Sequence, residues 1–187
     1  MLTNNIKNKF PIFEKNPELI YLDTAASAQK PKVVIDSINN CYSNEYANIH
    51  RGVYKLSTDI TDKFENVRLK TSKYINAESP NNIIFTKSAT EAINLVASCF
   101  SEKFLSNGDE VILSYLEHHA NIVPWQIEAE KKGFKIVVVD INQNGELDYD
   151  DFIKKINSKT KFISITHMSN VVGTTVDIQL INDQAKK

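Results

Sequence analysis

Three short segments of the 187-residue chain carry side chains that could hold or transform a ligand. In the first, KSATEAIN at 87–94, Ser88 and Glu91 have the spacing of a capping box, which predicts a helix beginning near Ala89. The first turn of such a helix presents free backbone N–H groups to which phosphate binds readily, and the Thr90 hydroxyl could add a hydrogen bond. An ordinary helix cap without a ligand is the alternative interpretation.

The second segment, LEHHANIVPW at 116–125, contains the adjacent histidines His118 and His119. Neighbouring side chains point in different directions on a regular backbone, so one ring can face a ligand while the other packs or meets solvent. An imidazole could stack on a flat heteroaromatic ring or transfer protons near neutral pH. Metal binding would need i, i+4 spacing or further ligands, so no metal site is predicted. A purely structural histidine is the alternative.

The third segment, ITHMSNVVGT at 165–174, places Asn170 where its amide could hydrogen-bond a ligand oxygen. Gly173 permits a sharp exit from the segment. A turn-forming asparagine is the alternative, and His167 is expected to have a local packing or hydrogen-bonding role.

Hydrophobic periodicity predicts the elements that must position these segments. Strands are predicted at residues 20–22, 83–86, 110–114, 135–139 and 161–166. Helices are predicted from Pro31 through Tyr42, at 58–75, 89–104, 122–132 and 148–156, and as the opening of another at 180–187. From residue 83 onward strands alternate with helices, which favours parallel pairing and an α/β fold with ligands at the carboxyl ends of the strands.

The two cysteines, Cys41 and Cys99, are predicted to be small buried hydrophobes on apolar helix faces. Cys99 belongs to a predicted buried face that it shares with Ala92, Leu95, Val96 and Phe100. Neither cysteine has a CxxC partner, so no disulfide framework and no zinc site are predicted.

The charge balance, 22 basic against 23 acidic residues, argues against a nucleic-acid or membrane surface. The apolar runs are far shorter than the roughly 20 residues that cross a bilayer. Residues 1–10 have neither a signal-peptide core nor a transit-peptide pattern, so a cytoplasmic location is expected.

The segments together, with YLDTAASAQKPKVVID at 21–36 and NIHRGVYKLS at 48–57, resemble the successive signatures of one family. They are similar to the large domain of aminotransferase class V enzymes, of fold-type I and dependent on pyridoxal 5'-phosphate (PLP), and within these to SufS-type cysteine desulfurases. The resemblance implies a three-layer α/β large domain with a mostly parallel sheet, incomplete in this chain. It also implies an N-terminal arm at 1–20 and a partial PLP-binding domain at 21–187.

The resemblance implies a role for four residues at the cofactor. Ala89 and Thr90 correspond to the loop that holds the PLP phosphate, although family members often have threonine where Ala89 stands. His118 corresponds to the histidine that stacks on the pyridine ring and assists proton transfer, which makes it the catalytic candidate. Asn170 corresponds to a residue near the ring hydroxyl.

Four further residues receive softer assignments from the same resemblance. Ala25 and Ala26 correspond to a segment near the substrate. His50 and Arg51 correspond to a loop near the mouth of the active site and the dimer contact. A surface or interface ion pair is the alternative for Arg51.

The implied activity is removal of sulfur from L-cysteine, giving alanine and an enzyme persulfide for iron–sulfur cluster assembly. A homodimer and a sulfur-acceptor protein are the implied partners. The family's Schiff-base lysine, nucleophilic cysteine and the aspartate at the pyridine nitrogen lie beyond the region represented here. We therefore expect the chain to be a truncated segment that does not catalyse the reaction alone.

Three alternatives stay open at this point. The same fold serves selenocysteine lyase and other class V PLP enzymes. A catalytically inactive fragment or interaction module would keep only the partner-facing surfaces. A nucleotide-binding α/β domain is disfavoured, because the five glycines form neither GxGxxG nor a P-loop.

Overall fold

The computed structural model describes residues 6–186, which form two compact units. The first unit ends at Ile84 and the second begins at Phe85. The predicted division into an arm at 1–20 and one domain at 21–187 stays a prediction. Residues 1–5 of that arm, and Lys187 at the end of the last predicted helix, lie outside the described residues.

The first unit is helical. Its helices are α1 (Pro11–Lys15), α2 (Lys32–Asn40) and α3 (Lys55–Tyr74), and α2 continues into a π-helical turn, Cys41–Glu45. The strand predicted at residues 20–22 is wrong, since Ile20 and Leu22 are 80% and 89% exposed and pair with no described strand. Three apolar residues have strand character in sequence, but a strand exists only where a neighbour supplies hydrogen bonds.

A close contact holds the loop at residues 48–52 against the start of α3. The Ser57 hydroxyl, fully buried, donates to the carbonyl oxygen of Asn48 at 2.5 Å. Gly52 lies directly beside it, and a Cβ atom there would be only 2.2 Å from Ser57 Oγ. The loop therefore needs glycine at this position for steric reasons.

The second unit is built on a parallel sheet of three strands. These are β1 (Glu110–Ser114), β2 (Lys135–Val139) and β3 (Thr160–Ile163), in the spatial order β2-β1-β3. Four of the five residues of β1 are buried, as expected for the central strand of a covered parallel sheet. The strand predicted at 83–86 is wrong, because this extended segment pairs with no described strand. The prediction for β3 also extended three residues too far.

Four helices complete the second unit: α4 (Ala89–Phe104), α5 (Val123–Lys132), α6 (Tyr149–Lys155) and α7 (Ile178–Ala185). Side-chain caps begin three of them, because Ser88, Asp148 and Asp177 each accept a backbone N–H of the first turn. Gly133, with φ 79°, ends α5 in the left-handed conformation that glycine adopts without strain.

Two hydrophobic clusters cover opposite faces of this sheet. Alternate residues of β1 point to opposite faces, so Ile112 enters one cluster while Val111 and Leu113 enter the other. One cluster contains residues of α6 and α7, and the other residues of α4 and α5. The second unit is thus a three-layer α/β arrangement, as the family resemblance implied. No helix of residues 6–186 is long and apolar enough to span a membrane.

The buried face of α4 differs from its prediction. Leu95 and Val96 are 44% and 45% exposed, and Cys99 is exposed as well, which corrects the expectation that this cysteine is buried. Ala97 and Ser101 are instead fully buried. Small side chains on that face let the helix approach its neighbours closely, and the larger apolar residues are displaced to its flank.

Candidate active site

The N-terminus of α4 presents unsatisfied donors. The Ser88 hydroxyl accepts the Glu91 N–H at 3.2 Å, which is the first half of the predicted capping box. The Glu91 carboxylate accepts the N–H of Lys87, one residue before the N-cap, instead of the Ser88 N–H that a complete box would use. The N–H groups of Ala89 and Thr90 and the Thr90 hydroxyl have no hydrogen-bond partner among the described residues, and both residues are exposed. This end of the helix can therefore bind an anion.

His118 follows β1 and begins a short 3-10 turn, His119–Asn121. Its ring nitrogen Nδ1 accepts the Ala120 N–H at 3.0 Å. A nitrogen that accepts a hydrogen bond carries no proton, so the neutral ring is held in the tautomer with its proton on Nε2. The ring is exposed, and it meets His119 edge-on at a centroid distance of 6.1 Å. Nε2 and one ring face are thus free for a ligand.

Glu117, directly before His118, is a residue that sequence reasoning missed. Its Oε1 accepts the Ser114 hydroxyl at 2.6 Å and the Thr166 N–H at 2.8 Å. Its Oε2 accepts the side-chain amide of Asn121 at 2.7 Å. One carboxylate therefore connects the end of β1, the 3-10 turn and the segment that follows β3.

Asn121 completes this network. Besides Glu117, its amide nitrogen donates to the Ser164 carbonyl at 3.1 Å. Its oxygen Oδ1 accepts the Ser164 hydroxyl at 2.7 Å and Trp125 Nε1–H at 3.2 Å. The i, i+4 spacing of Glu117 and Asn121 is visible in the sequence, but nothing there points to Ser164.

Asn170 lies in an exposed turn beyond β3, and its side-chain amide has no hydrogen-bond partner among the described residues. The buried Ser169 supports the turn, because its hydroxyl accepts the N–H groups of Val171 and Val172 at 3.2 and 3.3 Å. Gly173, with φ 75°, makes the predicted sharp exit. The amide of Asn170 is therefore available to a ligand.

The prediction for His167 is not met by its ring. The residue is exposed, and only its carbonyl makes a described hydrogen bond, accepting the Val176 N–H at 2.8 Å. Its backbone, rather than its imidazole, has the local role.

The segments that contain Thr90, His118 and Asn170 all belong to the second unit. β1 and β3 are parallel neighbours, so the segments that follow them leave the sheet on the same side, at the carboxyl ends of the strands. Helix α4 contacts the 3-10 turn that follows His118. His118 thus follows β1 by four residues and Asn170 follows β3 by seven, whereas α4 follows a segment that is not part of the sheet.

Ala25 and Ala26 belong to the first unit, in an exposed turn. The turn is closed by the Ala26 N–H donating to the Asp23 carbonyl at 3.2 Å and by the Tyr21 hydroxyl donating to the Ser27 carbonyl at 2.5 Å. Small side chains at an exposed turn leave room for another molecule, but they offer no chemistry of their own.

His50 and Arg51 also belong to the first unit. His50 has a left-handed backbone, with φ 67°, and its N–H donates to the Thr61 hydroxyl at 3.0 Å. Its Nε2 lies 2.8 Å from Glu65 on α3, and its ring packs edge-on against Phe64. The loop is therefore anchored by His50, and the exposed Arg51 side chain makes no ion pair with a described residue.

Two carboxylates elsewhere in the second unit have lowered pKa values. A hydrogen bond from Lys155 and another from the Asp140 N–H lower the pKa of Asp151, and a hydrogen bond from Lys132 lowers that of Glu102. Within residues 6–186 no group of three or more His, Cys, Asp or Glu side chains could hold a metal ion.

The second unit is thus a three-layer α/β arrangement with two free N–H groups at the start of α4 and an exposed histidine after the central strand. The chain belongs to the aminotransferase class-V family, whose sequence pattern matches residues 20–187.

Relatives that match nearly all of this chain include several cysteine desulfurases. The chain is 43% identical over 185 residues to the cysteine desulfurase SufS of Plasmodium falciparum, covering 97% of this chain and 34% of that protein. It is 44% identical over 184 residues to a cysteine desulfurase of Serratia proteamaculans, covering 97% and 45% of the two chains. The solved apo structure of the Thermococcus onnurineus cysteine desulfurase superposes with a TM-score of 0.91 at 31% identity, covering 100% of this chain and 45% of that one. The chain thus spans less than half the length of these relatives.

Proposed function

We propose that the chain is part of a PLP-dependent cysteine desulfurase and that its second unit forms one side of the cofactor site. The observation that carries this proposal is the pair of free N–H groups at Ala89 and Thr90, beside the free Thr90 hydroxyl. Three donors at a positive helix end match the requirements of a phosphate dianion. The membership of aminotransferase class V makes PLP the phosphate ester to test.

Each site residue then has a defined task. Ala89 and Thr90 hold the cofactor phosphate. His118 offers a ring face to the pyridine ring, and its Nε2–H, fixed by the bond between Nδ1 and the Ala120 N–H, can exchange a proton with the substrate. The Asn170 amide donates to the ring oxygen.

The proposed activity is sulfur removal from L-cysteine. Bound PLP acts as an electron sink that weakens bonds at the substrate carbon. The C–S bond breaks, the sulfur is transferred to an enzyme thiol as a persulfide, and the carbon gains a proton to give alanine. Neither Cys41 nor Cys99 corresponds to that thiol, so alanine formation by these 187 residues alone should be nil. In this proposal the substrate is L-cysteine, and the partners are a second copy of the enzyme and a sulfur-acceptor protein. The released sulfur serves iron–sulfur cluster assembly, and the enzyme is located in the cytoplasm.

Equilibrium dialysis of PLP against the 187-residue chain tests the cofactor site. We expect saturable binding at one PLP per chain. Thr90→Ala should weaken it about tenfold, since a hydrogen bond to a charged phosphate is lost. The matched control is Thr58→Ala, which removes an exposed hydroxyl from helix α3 and should leave the affinity at the wild-type value.

Two results would contradict the assignment of the cofactor site. If wild-type chain binds no PLP, or if both threonine variants bind as wild type does, the helix end of α4 is not a cofactor site. An interaction module without cofactor would then be the better description. Alanine formation from cysteine by the chain alone would contradict the assignment of the thiol elsewhere.

A further inference from the structure

The Glu117 carboxylate joins the two segments that carry His118 and Asn170. It accepts the Thr166 N–H, four residues before Asn170, and it lies next to His118 in the chain. Glu117 is half-buried, and its three hydrogen bonds are 2.6 to 2.8 Å long. Short bonds to a carboxylate are stronger than neutral ones, so this connection is rigid.

The direction of these hydrogen bonds depends on glutamate. A carboxylate only accepts, and it orients the Asn121 amide so that both Nδ2 hydrogens donate and Oδ1 accepts from Ser164 and Trp125. Glutamine at position 117 could not reproduce this. If the glutamine oxygen faced the Thr166 N–H, the glutamine NH2 group would face the NH2 group of Asn121, and two donors would meet. If the amide were flipped, the glutamine NH2 group would face the Thr166 N–H, and again two donors would meet.

His118 is held between the two partners of this network. Glu117 precedes it, and the Asn121 N–H donates to the His118 carbonyl at 2.8 Å. The 3-10 turn that supplies the Ala120 N–H to the ring is therefore fixed at both ends. A change at Glu117 would shift that turn, and with it the tautomer and direction of the ring.

We propose that Glu117 is a positioning residue, whose carboxylate sets the geometry of His118 and of the Asn170 segment relative to each other. The proposal rests on the proposed function for its meaning in catalysis, because His118 and Asn170 are the assigned PLP contacts. Its structural content stands on the hydrogen bonds alone.

The first test reads the geometry without cofactor. In Glu117→Gln we expect faster hydrogen exchange at the Thr166 amide. We also expect a changed histidine ring 1H–15N NMR spectrum, in which the Nε2–H tautomer of His118 is no longer dominant. Glu130→Gln makes the same charge change at an exposed position of α5 and should leave both signals at wild type.

The second test is rescue by reversed polarity. Asn121→Asp alone places two carboxylates together, whereas Glu117→Gln with Asn121→Asp lets the new amide donate to the new carboxylate. The double variant should restore the His118 spectrum in part, because the carboxylate at position 121 accepts from the new amide but also faces the Ser164 carbonyl, a second acceptor, in place of the 3.1 Å hydrogen bond. A residue that mattered only for general stability would show no such rescue.

PLP affinity is the third measurement. Glu117→Gln should bind PLP about tenfold more weakly. Phe152→Leu, in the cluster on the other sheet face, should lower the urea midpoint without changing PLP affinity or the His118 spectrum. Wild-type levels of Thr166 exchange and an unchanged His118 spectrum in Glu117→Gln would overturn the proposal.

The two proposals can fail separately. If wild-type chain binds no PLP, the cofactor assignment fails, and the positioning role is decided by exchange and the histidine spectrum. If Glu117→Gln does not fold, Ser114→Ala removes one of the three donors to the carboxylate and is judged by the same two signals.

Discussion

Single buried polar residues of the second unit differ sharply in how well they are satisfied. Asn121, 7% exposed, makes four side-chain hydrogen bonds, which use every donor and acceptor of its amide. The Ser101 hydroxyl on α4 is fully buried and has no partner among the described residues. Burying a hydroxyl without a hydrogen bond costs about 1 to 3 kcal/mol. The first residue stabilises the fold, and the second opposes it.

Ser101→Ala should therefore raise the free energy of unfolding, by about 1 kcal/mol. The substitution removes an unsatisfied oxygen and raises helix propensity on α4. Urea denaturation followed by circular dichroism measures the change. The matched control is Ser72→Ala on α3, because the buried Ser72 hydroxyl donates to the Leu69 carbonyl at 2.9 Å and its loss should not stabilise. A lower stability of Ser101→Ala would show that this hydroxyl is satisfied in solution.

At the scale of elements, the turn at the C-terminal end of α5 sets the position of strand β2. The chain turns at Gly133, whose carbonyl accepts the Gly108 N–H at 3.1 Å. Both glycines have positive φ, 79° and 88°. They differ in surroundings, since a Cβ on Gly133 would lie 2.7 Å from Asn107 Oδ1, whereas nothing lies within 4 Å of one on Gly108.

Gly133→Ala should thus destabilise more than Gly108→Ala. The left-handed backbone alone costs an alanine about 1 kcal/mol, which is the expected effect at Gly108. At Gly133 the displacement of Asn107 adds to this, for a total of about 2 kcal/mol. Equal losses in urea denaturation would mean that the Asn107 side chain moves aside without cost.

Elements with local signals were predictable, and those that depend on partners were not. The bounds of α4, β1 and β2 agree with the sequence prediction, since capping and short apolar runs between turns are encoded within each segment. Residues 83–86 have the same strand-like composition, but the structure leaves them unpaired. The buried face of α4 was misassigned because large apolar residues dominate its pattern while two small residues make the contact.

In the candidate site, too, the features with a local sequence signal were predictable and those that depend on distant partners were not. Ser88 with Glu91, and the left-handed Gly173, follow from spacing and residue type alone. The Glu117 network required knowledge that Thr166, 49 residues away, returns to the same strand end. Long-range hydrogen bonds of this kind have no signature in one sequence. The roles of Ala89, Thr90, His118 and Asn170 at a cofactor stay predictions.

At the scale of the whole molecule, the sheet has open edges. Among residues 6–186 no strand pairs with the outer side of β2 or of β3. Large apolar side chains are also exposed in the second unit, Val171 at 82% and Met168 at 61% among them. Open edges together with exposed apolar residues promote association between chains.

We expect the 187-residue chain to self-associate, with an average mass in analytical ultracentrifugation that rises with concentration. Val171→Lys should reduce this, since a charge at an exposed apolar position opposes association. Ser43→Lys adds the same charge at an exposed polar position of the first unit and serves as the control. A single monomeric species at all concentrations would contradict the expectation.

The buried indole of Trp125 gives the molecule an optical reporter of its own. It is the only tryptophan in the chain, it is fully buried, and its ring lies 4.8 Å from that of Phe162 on β3. Its Nε1–H also donates to Asn121, which bonds directly to Glu117. Tryptophan fluorescence, excited selectively over that of the seven tyrosines, therefore arises from one place, beside the histidine turn and the third strand. We expect a blue-shifted emission maximum while Trp125 stays buried and bonded to Asn121. If the hydrogen bonds of Asn121 and Glu117 break and water reaches the indole, the maximum should shift to the red, which can be followed in real time without any attached dye.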